Sequence, residues 1–173
     1  MQTPYMKDGD IWLPYAYDPV WHRYIQPEEH TYQYDFGIIG ALYENRTRLV
    51  NALRSAGFSV YAPGFGVVYK EAREQYALCR SGLNYSSEKD LCARVFELAA
   101  MGLCPVVNRV PDLEKIGFRE GVSYFGFDNV AQGVAAAVKA ADCWKQIGYG
   151  AHLWIQDGKH TWDDRVETIL SYM

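Results

Sequence analysis

From Tyr34 onward the chain alternates short, continuously apolar runs with stretches whose apolar residues recur at helical spacing, and few folds accept that pattern. The runs Tyr34 to Gly40, Phe58 to Ala62, Gly82 to Tyr85, Cys104 to Asn108 and Val122 to Phe127 read as strands. Between the first two, Glu44 to Ala56 carries Leu49, Val50, Leu53 and Ala56 on one helical face, with Gly57 placed to end it. Tyr69 to Arg80 reads as the next helix. Ser87 to Met101 reads as another, opened by a capping box of Ser87 with Asp90 and stopped by Gly102. Val130, Val134, Val138 and Ala141 then repeat every fourth residue, and a last helix starts at Thr161, capped with Asp164 and burying Val166, Ile169, Leu170 and Met173. A strand that is apolar on both faces must be covered on both, and parallel neighbours need a crossover helix. The predicted class is α/β, a parallel sheet with helices on both faces.

Size and charge narrow the function. A chain of 173 residues suits one such domain. Its net charge of −4 gives no electrostatic reason to expect a nucleic acid or an anionic membrane as partner. No apolar run approaches the ~20 residues that span a bilayer, and MQTPYMKDGDIW lacks a signal-peptide core, so a cytoplasmic location is the default expectation. Cys79, Cys92, Cys104 and Cys143 form no CxxC pair and read as small buried thiols, with no metal or disulfide expected. Residues 1–33 are crowded with aromatics interleaved with Pro and Asp. They read as a packed, linker-like segment, with a carbohydrate-stacking surface as the other reading. Residues 34–173 form the domain proper.

In an open parallel sheet, ligands bind at loops beyond the carboxyl ends of the strands. Three such loops carry suitable residues. After the first strand, Gly40 permits close backbone approach, and Arg46 and Arg48 sit near the first turn of the next helix. Cations there oppose the helix dipole, which fits a bound diphosphate, or else they are two solvated arginines. APGFG, Ala62 to Gly66, offers Gly64 to a base or sugar, or is a plain tight turn. In the third, NYSSEKD leads into the Ser87 helix, on which Asp90, Arg94 and Glu97 share a narrow arc in an otherwise apolar helix. That arc is either a cleft edge or an intrahelical ion-pair ladder. The histidines show no nucleophile partner, and no GxSxG is present. Asp35 lies at the start of its strand, with Gly40 at the end, which argues against a receiver-like signalling domain.

The run GLNYSSEKDLCARVFELAAMGLCPVV resembles the donor-binding segment of retaining GT-B glycosyltransferases, above all the CgeB-like, spore-maturation branch. WLPYAYDPVWH is similar to the segment joining the halves of such enzymes, DFGIIGALYENR to the strand opening the second half, and HTWDDRVETIL to the terminal H-T-x-x-x-R helix. The matches cover nearly the whole chain in the expected order. The resemblance implies a Rossmann-like domain, a single GT-B half, that binds a nucleoside diphosphate sugar. It implies that Glu97 holds the ribose hydroxyls, Arg46 meets the diphosphate, Asn84, Ser86 and Ser87 meet phosphate or sugar, and Arg94 supports phosphate or Glu97. Many such enzymes carry a second Glu eight positions before the first; Lys89 stands there, beside Glu88, which leaves the sugar open.

The expected function is glycosyl transfer from a nucleoside diphosphate sugar, with no other cofactor and no metal. A GT-B enzyme closes two domains over its substrates, and this chain reads as beginning at the linker. The acceptor half is therefore expected from a homo-oligomer or a separate acceptor-domain partner. The alternative is a non-catalytic nucleotide- or sugar-nucleotide-binding module derived from such an enzyme.

Overall fold

Five strands carry the predicted alternation: β1 (Tyr34–Ile39), β2 (Val60–Gly64), β3 (Cys79–Asn84), β4 (Cys104–Asn108) and β5 (Phe125–Phe127). The helices between and after them are α1 (Glu44–Ser55), α2 (Tyr69–Tyr76), α3 (Ala93–Met101), α4 (Asp112–Lys115), α5 (Val130–Asp157) and α6 (Trp162–Leu170). This computed structural model describes residues 6–173; the first five residues of the aromatic segment lie outside the described residues.

All four strand pairings are parallel, in the order β2-β1-β3-β4-β5. The period of two in each strand divides its side chains between two cores. On one face Phe36, Ile38, Leu83, Val106 and Phe127 pack against Leu49 and Leu53 of α1 and the first half of α5. On the other, Ile39 and Cys79 meet Tyr76 and Leu98, while Val107 meets Val95, Phe96 and Ala99 of α3. The fold is thus α/β and Rossmann-like. Because the chain runs from β1 to β2 one way and from β3 to β4 the other, the direction switches between β1 and β3.

Several boundaries differ from the sequence reading. The α3 helix begins at Ala93, not Ser87. Ser86, not Ser87, engages Asp90: its hydroxyl donates to the Asp90 carboxylate and accepts from the Asp90 N–H at 3.0 Å. Lys89 then takes a left-handed φ of 53°, which no helix of L-residues propagates. Residues 86–92 are therefore a loop. The α2 helix stops at Tyr76, not Arg80, because Cys79 already pairs with Tyr34 of β1. In α5 the buried stripe is Gly133, Ala136, Ala137 and Ala140, not the valines, of which Val138 is exposed. Small residues let this helix approach the sheet closely, and the valines flank the contact. Cys143 is exposed, while Cys79 and Cys104 are buried as expected.

At the C-terminus the capping box of Thr161 with Asp164 forms. The buried residue of α6 is Arg165, while Val166, Ile169, Leu170 and Met173 are exposed. The physical reason lies in residues 14–17. Arg165 donates to the carbonyls of Pro14 at 2.9 Å, Tyr15 at 3.1 Å and Lys159 at 2.7 Å. Tyr17 exchanges main-chain bonds with His160 and Trp162, at 3.1 and 3.2 Å. A buried cation that satisfies three carbonyls turns the polar side of α6 inward. The aromatic segment is thereby packed down, with Ala16, Tyr17 and Ile25 buried. Among the described residues no helix is long and apolar enough to cross a membrane.

Candidate functional site

Three arginines stand at the carboxyl edge of the sheet, and their partners differ in kind. Arg109, after β4, is neutralised by two carboxylates, with Glu120 at 2.7 Å and Asp128 at 2.8 Å. Arg94 and Arg46 receive only neutral acceptors. The Arg94 guanidinium donates to the Ile39 carbonyl at the end of β1 and to Asn84 Oδ1 at the end of β3, the latter at 3.2 Å. Arg46 donates from Nε to the Tyr85 carbonyl at 2.7 Å and from Nη1 to the Ala41 carbonyl at 2.8 Å. Both cations therefore span the switch between β1 and β3. Burial, followed by the like charge of Arg94, pulls the Arg46 pKa below its usual value. Among the described residues neither has a carboxylate partner. Two neighbouring cations whose guanidinium groups are bonded by no carboxylate favour an anion, most of all one with several oxygens.

Gly40 makes this arrangement sterically feasible. It has a φ of 118°, and a Cβ there would lie 2.6 Å from Nη2 of Arg94. Its own N–H donates to the Gly64 carbonyl at 3.0 Å. Gly64 thus sets the end of β2 against the end of β1 rather than lining the site. Asn84 is buried and accepts from Cys92 Sγ as well as from Arg94. Ser86 is buried beside it, its N–H donating to Asn108 Oδ1 at 2.7 Å. Ser86 and Ser87 border an adjoining hollow of about 360 Å³ together with Asn108 and Lys89.

A cleft of about 420 Å³ opens over Gly40 and Arg94, with Glu97 in its wall. Glu97 lies one turn beyond Arg94 on α3, in the i, i+3 relation. The ion-pair ladder is not built, because Asp90 is off the helix and Arg94 turns to the sheet. Glu97 meets instead Nε2 of His22, at 3.8 Å. Tyr76 also lines the cleft; its hydroxyl accepts from the Ile39 N–H at 3.2 Å. Burial pushes the Tyr76 phenol up to about 12. Arg48 is elsewhere, paired with Glu44 at 3.6 Å on the exposed face of α1. For it, the solvated reading holds.

Sequence reasoning missed the opposite wall. Asp18, Trp21 and His22 of the N-terminal segment, with Val68 and Tyr69 at the start of α2, complete the cleft. The Trp21 and Tyr69 rings approach to 5.6 Å between centroids. The aromatic density of residues 1–33 was the available signal, but nothing local shows which rings face a cleft and which pack inward.

The family model described as glycosyl transferase-like matches residues 22–171. No curated protein matches the chain.

Proposed function

The chain belongs to the glycosyl transferase-like family, and from that premise we propose that the β1/β3 cleft binds a nucleoside diphosphate sugar for glycosyl transfer. The observation that carries the proposal is the pair Arg46 and Arg94, two cations fixed by neutral acceptors at the switch point of a parallel sheet. A diphosphate supplies the missing counter-charge. Glu97, one helical turn along the same wall, accepts two hydrogen bonds from the cis-diol of the ribose. His22 Nε2 stands 3.8 Å from that carboxylate.

In this reading the chain is the donor half of a retaining GT-B enzyme of the CgeB-like branch. As the bond to the sugar breaks, negative charge accumulates on the diphosphate. Fixed donors aimed at that charge stabilise the transition state more than the ground state. Arg46 and Arg94 are such donors, and the protonated Tyr76 hydroxyl adds a neutral one. Acceptor contacts come from a surface facing the cleft, supplied by another domain, a second copy or a separate chain.

Isothermal titration with UDP, GDP, ADP and their sugars, with sugar turnover followed in parallel, tests the reading. Binding that Arg94→Gln abolishes, and that Glu97→Gln weakens tenfold or more, is the expected result. Binding without turnover, even when an acceptor and an acceptor-domain partner are supplied, assigns the chain to a nucleotide-sugar-binding module. Absence of binding to every member of the panel overturns both.

A further inference from the structure

The Trp21 and Tyr69 rings are the cleft's least economical feature. Each is a large aromatic, yet 38% of Trp21 and 65% of Tyr69 remain exposed. They lie 5.6 Å apart and tilted by 49°, so the pair does not close as a parallel stack. Tyr69 also holds its backbone at a φ of 49°, in the left-handed region that a bulky side chain avoids. Strain of this sort persists where the surroundings impose it, and it clusters at ligand sites.

The position of this pair along the cleft identifies what it receives. Resting on the donor-site reading above, the arginines mark the diphosphate and Glu97 marks the ribose. Trp21 adjoins His22 in sequence, and His22 touches Glu97. Trp21, His22, Tyr69 and Glu97 line one cleft that Arg46 does not border, which sets the rings on the ribose side. Covalent order in a nucleoside diphosphate sugar runs base, ribose, diphosphate, sugar. The group beyond the ribose is the base.

We propose that Trp21 and Tyr69 form the stacking platform for the nucleobase of the donor, making the N-terminal segment an integral part of the donor site. Both rings are partly exposed and line the cleft, and aromatic stacking of this kind tolerates any base. Affinity for the nucleoside then depends on the segment that Arg165 pins to α6, although that segment lies outside the sheet.

The test uses Trp21→Ala and Tyr69→Gly in the full chain, titrated with UDP, GDP and ADP, and with pyrophosphate as a ligand that lacks a base. Glycine accepts a φ of 49° freely, so Tyr69→Gly removes the ring while relieving the backbone. Each variant is expected to bind the nucleotides roughly tenfold more weakly, to bind pyrophosphate as the wild type does, and in the glycine variant to melt no lower. Unchanged nucleotide affinity in both variants overturns the platform and leaves the donor site standing. An equal loss for pyrophosphate also overturns it, since the rings would then shape the cleft without meeting a base. A wild type that binds neither nucleotide nor pyrophosphate removes the donor-site reading and this inference with it.

Discussion

Asn84 accepts a hydrogen bond from Arg94 at 3.2 Å, so the last residue of β3 fixes the cation that reaches across to the end of β1. The acceptor is an amide, and that choice matters. A neutral partner orients the guanidinium without neutralising it, leaving its charge for a ligand. Asn84→Asp keeps the shape and the hydrogen bond but supplies a carboxylate. Folding stability is expected to hold or rise, while nucleoside diphosphate affinity falls at least tenfold. Denaturant unfolding and calorimetric titration of the same variant separate the two effects.

Gly40→Ala places a methyl group where Arg94 now passes, at a φ that alanine avoids. Loss of roughly 1–3 kcal/mol of stability is expected from the backbone conformation and the displaced guanidinium together. Nucleotide binding should fall with it. Gly64→Ala, at a φ of 85° with open space around its Cβ, should cost stability through its backbone alone and leave the cleft intact. Comparing the two by chemical denaturation and titration separates strain from site geometry.

Arg165 ties the N-terminal segment to α6 through three carbonyls, two of them at Pro14 and Tyr15. Arg165→Met fills a similar volume but leaves those acceptors unmet. A loss of about 3 kcal/mol is expected, since hydrogen bonds from a charged donor are among the stronger ones. Amide exchange should rise first across residues 14–22. Nucleotide binding should weaken as well, because His22 and Trp21 ride on that segment.

His160 provides a pH dependence. Burial, followed by the charge of Arg165, lowers its pKa from the ordinary 6.5 to about 4. Arg165 Nη2 lies 3.1 Å from His160 Nδ1, which as the acceptor must be unprotonated. The imidazole stacks on Trp154 at 4.3 Å. Since the folded pKa lies below the unfolded one, the unfolded chain takes up the proton first. Stability is full above about pH 6.5 and declines as the pH falls towards 4, by on the order of 2 kcal/mol. In His160→Gln that decline should flatten, which urea titrations at pH 7 and pH 4.5 would reveal.

Much of this was legible in the residues themselves. β4 was bounded correctly at Cys104–Asn108 and α1 nearly so, because a continuous apolar run or a clean helical period is a local property. The capping box at Thr161 was readable for the same reason. Errors arose where a distant partner prevailed over a local pattern. Asp90 looked helical until Ser86 claimed its carboxylate, and the apolar side of α6 looked buried until Arg165 found its carbonyls. Gly40, Arg94 and Glu97 stood out in the sequence because their types are unusual for their places, and the fold brings them to one cleft.

What the sequence alone determined was the class of the fold and which glycines and charges stand at the carboxyl edge of the sheet. Those follow from short-range periodicity, strand-end glycines and charges in an apolar helix. Tertiary structure decided which of those charges remain available. Arg48 is spent on Glu44, whereas Arg94 and Arg46 are left with neutral carbonyls and an amide. It also decided that His22 meets Glu97 in a cleft that Trp21 lines, since residues some 75 positions apart meet only once the chain has packed on its own sheet.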